Sequence, residues 1–94
     1  MAIFEWDEAK NLLNQKKHKI SFEGARYVFL DKNRIIQEDA AHSKSEGRFY
    51  CYGKVDNAII TVRFTYRNNN IRIFGAGYWR NGKKVYEQEN NIHR

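Results

Sequence analysis

The chain has 94 residues with 17 lysines and arginines against 11 carboxylates, a formal net charge of +6. That is enough for one modest core and too little for two, so residues 1–94 are expected to form a single domain. The lone cysteine, Cys51, excludes an internal disulfide and a cysteine-only metal site, and no apolar run or leader suits a membrane. By elimination the expected location is the cytoplasm, and the excess positive charge favours nucleic acid or an acidic protein as partner.

In chain order, Asp7 is placed to cap a helix running through about Lys17. Trp6, Ala9, Leu12 and Leu13 recur at helical spacing and should form its apolar stripe. Lys16, Lys17 and Lys19 crowd its C-terminal end, where cations complement the helix dipole and are also free to meet phosphate. Ser21 reads as the cap of a second helix with Phe22, Ala25, Val28 and Phe29 on one side, broken at Asp31-Lys32-Asn33. A short strand is expected over Arg34 to Glu38, then a polar loop from Asp39 to Gly47.

The strongest pattern lies in the second half. Residues 48–55, 58–66 and 71–78 alternate with period two, separated by Asp56-Asn57 and Arg67-Asn68-Asn69-Asn70, whose residue types tolerate left-handed backbone. Centring one turn on Asn68-Asn69 sets Tyr66 opposite Ile71, Phe64 opposite Ile73, Val62 opposite Gly75, Thr65 opposite Arg72 and Arg63 opposite Phe74. The other turn sets Phe49 beside Phe64, Cys51 beside Val62, Tyr50 beside Arg63 and Arg48 beside Thr65. Two independent turns thus sort the residues onto the same two faces, one apolar and one basic and aromatic. After Trp79 to Gly82 turns the chain, a short helix is expected from Lys83 to about Asn91, with Val85 and Tyr86 inward and Asn91 to Arg94 frayed.

The order predicts an α+β domain. Two N-terminal helices would pack on a four-stranded, mainly antiparallel sheet, with a short C-terminal helix, all helices on the apolar sheet face. The other face would present Arg48, Tyr50, Tyr52, Lys54, Arg63, Thr65, Arg67, Arg72 and Phe74. Guanidinium groups fork onto phosphate oxygens and aromatic rings stack on unpaired bases, so this face suits single-stranded RNA. Cleaving RNA further requires alignment and deprotonation of the 2′-hydroxyl, charge stabilisation on the phosphorane and a proton for the leaving oxygen. Arginine supplies only the charge. Proton transfer would fall to His18, His42, Glu46, a lysine or a tyrosine, and His42 and Glu46 lie in a loop able to reach the open face. No cluster has metal-ligand spacing, and Cys51 falls on the apolar side as a core residue.

Several short stretches resemble the BrnT family of bacterial toxins along nearly the whole chain. They are Phe4-Glu5-Trp6-Asp7-Glu8-Ala9-Lys10-Asn11, Lys17-His18, Ser21-Phe22-Glu23, His42-Ser43, Glu46, Arg48-Phe49, Thr65, Arg67 and Ile71-Arg72-Ile73. The resemblance implies a RelE- or ParE-toxin-like fold and a metal-independent ribonuclease, without cofactor, that arrests translation. It also implies a cognate antitoxin that reaches operator DNA on the toxin's behalf. On it, Arg67 and Arg48 are expected to meet phosphate or transition-state charge and His42 or Glu46 to move protons, with Lys17, His18 and Arg72 carried over as RNA contacts. Tyr50, Arg63, Phe74 and Tyr78 complete the expected RNA surface. The chain departs from the family at Gly75 and Gly77, where serine and arginine are usual, and Arg80 is the candidate replacement guanidinium. Two other readings remain open: a non-catalytic RNA- or ribosome-binding module, and a structural partner in a repressor complex.

Overall fold

The computed structural model describes residues 3–92. Both expected turns form: Asp56 and Asn57, then Asn68 and Asn69, take positive φ and close two-residue hairpins. They join β3 (Phe49–Val55), β4 (Ala58–Arg67) and β5 (Asn70–Gly77). The expected pairs Tyr50–Arg63, Cys51–Val62, Phe64–Ile73 and Thr65–Arg72 are present. An expected short strand, β2 (Ile35–Glu38), lies antiparallel on β3.

The register of β5 then departs from the simple hairpin. Between Ile73 and Gly75 the ladder skips Phe74, so Arg63 faces Gly75 and Val62 faces Ala76, not Phe74 and Gly75 as expected. Phe74 is the extra residue of a bulge, its ring 4.6 Å from the Arg48 guanidinium and 5.7 Å from the Lys10 ammonium. Past the bulge Ala76 turns into the core, while Gly75 and Gly77 join Arg63 on the opposite face. The pairing of Arg48 with Thr65 is also corrected, because the β3–β4 ladder starts at Phe49. Thr65 Oγ1 instead donates to the Gly47 carbonyl.

The sheet has five strands, not four: β1 (Phe4–Trp6) adds parallel to β5, giving the order β1-β5-β4-β3-β2. Three residues carry too little periodicity to be recognised as a strand. After it, α1 (Glu8–His18) starts at Asp7, whose Oδ1 accepts from the N–H groups of Ala9 and Lys10 at 2.8 and 3.2 Å. Its expected apolar stripe is overturned: Leu12 and Leu13 are 60% and 57% exposed, whereas Asn11 and Asn14 are buried. The reason is hydrogen bonding. β1 ends opposite Ile73, so Ala76 has no strand on its outer side, and the Asn14 amide accepts from Ala76 N–H and donates to Ala76 and Ile20 carbonyls. Asn11 accepts from the Phe22 N–H and donates to Glu8 and Glu23. Each polar group stranded at that edge would cost about 1–3 kcal/mol, comparable to the burial that an exposed leucine forgoes.

The second helical segment keeps its Ser21 cap but is a single turn, α2 (Phe22–Ala25), continued as a 3-10 helix over Arg26–Leu30. Phe22, Ala25 and Val28 enter the core with Cys51, Val62 and Phe64. Gly53 permits the approach, since a Cβ there would stand 2.7 Å from Val28 Cβ and 2.8 Å from its carbonyl oxygen. Burial pushes the Cys51 thiol up to about 12, as befits a packing residue.

The last helix, α3 (Arg80–Glu89), begins three residues earlier than expected and packs on the other sheet face. Tyr52, expected to be open, is therefore buried with Ile59 and Tyr86 in a second apolar cluster. Gly82 lets the helix rest directly on Thr61, whose hydroxyl lies beneath it. Tyr86 donates to Asp31 Oδ2 at 2.6 Å, tying α3 to the segment before β2. Asn91 takes positive φ, and the Ile92 N–H reaches the Glu87 carbonyl. Residues 93 and 94, expected to fray, lie outside the described ones. Among the described residues no helix is long and apolar enough to cross a membrane.

Candidate active site

With α3 covering one end of the second face, what remains open centres on Arg63. Its neighbours across the ladder are Tyr50 on β3 and Gly75 on β5. The absence of a side chain at Gly75 leaves room for the guanidinium, since a Cβ there would stand 2.6 Å from Nη2. The guanidinium lies 5.7 Å from the Trp79 ring, and Trp79 in turn folds over Gly77. The Trp79 and His18 rings meet in a T-shaped contact with centroids 5.3 Å apart. Two glycines on one edge of β5 thus make the space for an arginine and a tryptophan that start elsewhere.

Arg63 divides two hollows. On one side is an open cleft of about 400 Å³ lined by Gln37, Tyr50, Trp79 and Asn81, floored by Tyr52 and Thr61 near Gly82. On the other is a small hollow of about 60 Å³ where Arg63 meets Asp39, His42, Arg48 and Phe74. Arg63 lines both.

The small hollow gathers proton-transfer chemistry beside positive charge. The loop expected over Asp39 to Gly47 contains a 3-10 turn, Ala40–His42, that brings Nδ1 of His42 within 2.8 Å of Asp39 Oδ2. That contact fixes the ring and leaves Nε2 directed away from the carboxylate. Partial burial pushes the Asp39 carboxyl up, but hydrogen bonds from His42 and Tyr50 outweigh it and hold the group below the usual carboxylate range. Burial, then the Asp39 carboxylate, pushes the Tyr50 hydroxyl up, with Arg63 opposing. Tyr50 therefore stays a neutral hydroxyl at physiological pH.

Of the residues expected from the sequence, His42, Arg48, Arg63, Phe74 and Tyr50 come together around these hollows. The remainder sit elsewhere. Glu46 receives the Arg67 guanidinium at 3.1 and 3.2 Å beside the β4–β5 turn. Arg72 lies 3.9 Å from Glu5, its partner on β1, so the basic face carries carboxylates the sequence pattern did not place there. Lys17 stays exposed in the last turn of α1, and Tyr78 is exposed at the end of β5. Arg80, the candidate replacement guanidinium, lines a separate groove on α3 with Lys83 and Lys84 and is not among the residues of the small hollow. Sequence reasoning missed Asp39, Gln37, Asn81 and Trp79. For Trp79 a signal existed: glycines at alternate positions of a strand, followed two residues later by a tryptophan, mark a ring laid over the strand.

Residues 6–82 match the family described as "Ribonuclease toxin, BrnT, of type II toxin-antitoxin system". No curated protein matches the chain.

Proposed function

The chain belongs to the BrnT family of ribonuclease toxins of type II toxin–antitoxin systems, and on that premise we propose that it is a metal-independent endoribonuclease whose active hollow is formed by His42, Asp39, Arg48 and Arg63. The observation that carries this reading is the Asp39–His42 pair standing in one small hollow with two guanidinium-bearing side chains. Arg48 and Arg63 neutralise the scissile phosphate and the charge that grows on it in the phosphorane. His42 Nε2 takes the proton of the 2′-hydroxyl while Asp39 stabilises the imidazolium that results. The 2′-oxygen–phosphorus bond forms, the bond to the 5′-oxygen breaks, and that oxygen leaves with a proton from water at this open face. The products are a 2′,3′-cyclic phosphate and a 5′-hydroxyl. Arg67, held by Glu46, and Arg72, held by Glu5, extend the cationic track along the same face for the flanking backbone.

We read the architecture as RelE-like and the cellular outcome as translation arrest in the cytoplasm through cleavage of mRNA, free or on the ribosome. The cognate antitoxin neutralises the toxin with an acidic segment over the basic face, and contact with operator DNA runs through the antitoxin alone. Labelled single-stranded RNA incubated with purified protein in EDTA should give fragments ending in cyclic phosphate, lost in His42→Ala. The second reading, a non-catalytic RNA-binding module, is favoured by Gly75 and Gly77 standing where the family usually has serine and arginine. It predicts retained, salt-sensitive RNA binding with no new fragments.

A further inference from the structure

The larger cleft is not needed for the proton transfers, yet it opens directly beside them. Arg63 forms the wall between it and the hollow holding His42. A phosphate drawn to Arg63 from the His42 side therefore brings an adjoining nucleotide to the mouth of the cleft. Its volume of about 400 Å³ falls within the range of small-molecule sites. Trp79 offers it an aromatic wall, and Tyr50 offers another, backed by the buried Tyr52 ring 5.9 Å away and nearly parallel to it. Such surfaces hold unstacked bases.

Two polar side chains of the cleft, Gln37 and Arg63, present donors to it. The Tyr52 hydroxyl donates to Gln37 Oε1 at 2.9 Å, which turns the Gln37 amide so that Nε2, with two N–H donors, is left for whatever enters. Arg63 adds further donors on the adjacent wall and has no accepting atom. A base whose edge carries carbonyl oxygens satisfies these groups, whereas an exocyclic amino group would meet donors with a donor.

We propose that this cleft is a base-reading subsite that selects uracil over adenine or cytosine in the nucleotide next to the scissile phosphate. This rests on the ribonuclease reading of the same face. Gln37 is the reader, Trp79 the stacking platform, and Tyr52 the residue that sets the orientation of Gln37. Trp79→Ala removes the platform and weakens every base alike.

The informative variant is Gln37→Glu. Its carboxylate still accepts from the Tyr52 hydroxyl, so the local packing is kept, but the group facing the cleft changes from donor to acceptor. Binding is measured with His42→Ala protein, which cannot cleave by the proposed route, on fluorescent single-stranded decamers of uridine, adenosine or cytidine. The uridine decamer should bind roughly tenfold tighter than the adenosine one, within the usual range for a single well-placed base contact. Adding Gln37→Glu should abolish or reverse that order while near-native circular dichroism is kept. Equal affinities for the three decamers, or an unchanged order in Gln37→Glu, would overturn the subsite. Failure of the wild-type protein to cleave RNA in EDTA overturns the nuclease reading instead, so the two failures are separable.

Discussion

A side chain on Gly75 and the guanidinium of Arg63 would compete for one space: the Cβ would stand 2.6 Å from Nη2 and 2.9 Å from Nε. What would be displaced is the far end of a flexible side chain. Gly75→Ala should therefore leave the free energy of unfolding in urea within about 1 kcal/mol of wild type, yet reduce RNA cleavage at least tenfold by swinging Arg63 out of both hollows. Gly53→Ala offers the contrast, because there the collision is with Val28 Cβ and backbone. That variant should lose roughly 2–3 kcal/mol of stability from overpacking.

Asp39 and His42 provide the second test. Asp39→Asn keeps the shape of the contact at Nδ1 but removes the charge that stabilises a protonated ring. Single-turnover cleavage should fall by one to two orders of magnitude, with affinity for RNA nearly unchanged. Loss of binding in parallel with cleavage would place Asp39 in the scaffold instead of the chemistry.

The amide face of α1 yields a prediction opposite to hydrophobic intuition. Asn14→Leu converts a buried polar residue into an apolar one, yet strands the Ala76 N–H and carbonyl at an unpaired sheet edge. It should destabilise the protein by about 2–4 kcal/mol in urea titrations. Leu13→Gln, on the exposed side of the same helix, should change stability by less than about 0.5 kcal/mol.

The Tyr86–Asp31 contact fixes two limbs of the stability–pH curve. Burial pushes the Tyr86 hydroxyl up to about 12, helped by the neighbouring carboxylate, so its contribution is complete below the ordinary tyrosine value near 10 and lost as pH rises through the folded one. Burial pushes Asp31 up, but hydrogen bonds from Tyr86 and the N–H groups of Lys54 and Asn33 leave it net below its ordinary 3.8. Its contribution is complete above that value and lost as pH falls through the lower one. Thermal melts should show a plateau between the limbs. Tyr86→Phe should remove most of the alkaline limb and about 1–2 kcal/mol at neutral pH.

What the sequence made legible was local. Asp56-Asn57 and Asn68-Asn69 announce their turns because few other residues accept positive φ, and Asp7 and Ser21 announce helix starts because their side chains accept from the first turn. What stayed hidden depends on partners distant in the chain. The inward face of α1 is decided by Ala76, 62 residues away from Asn14. The bulge at Phe74 is decided by Arg48, Lys10 and Arg63, and the side on which α3 packs by Gly82 meeting Thr61. For the same reason Arg63 was visible as one more cation on the basic face, while its position between two hollows was not. His42 was legible as a candidate for proton transfer; the carboxylate it contacts, three residues earlier in an irregular loop, was not.

The parallel pairing of β1 with β5 has a consequence for the order in which the molecule is made. Phe4 meets Ile71 and Trp6 meets Ile73, so β1 is made long before β5, the strand it pairs with. Contacts of such long sequence separation close slowly and late. Arg63 and Trp79 emerge in the final third of the chain, after His42 has long been exposed. The growing chain thus carries the Asp39–His42 pair before it carries Arg63, the residue shared by both hollows, or Trp79, the ring that walls the cleft.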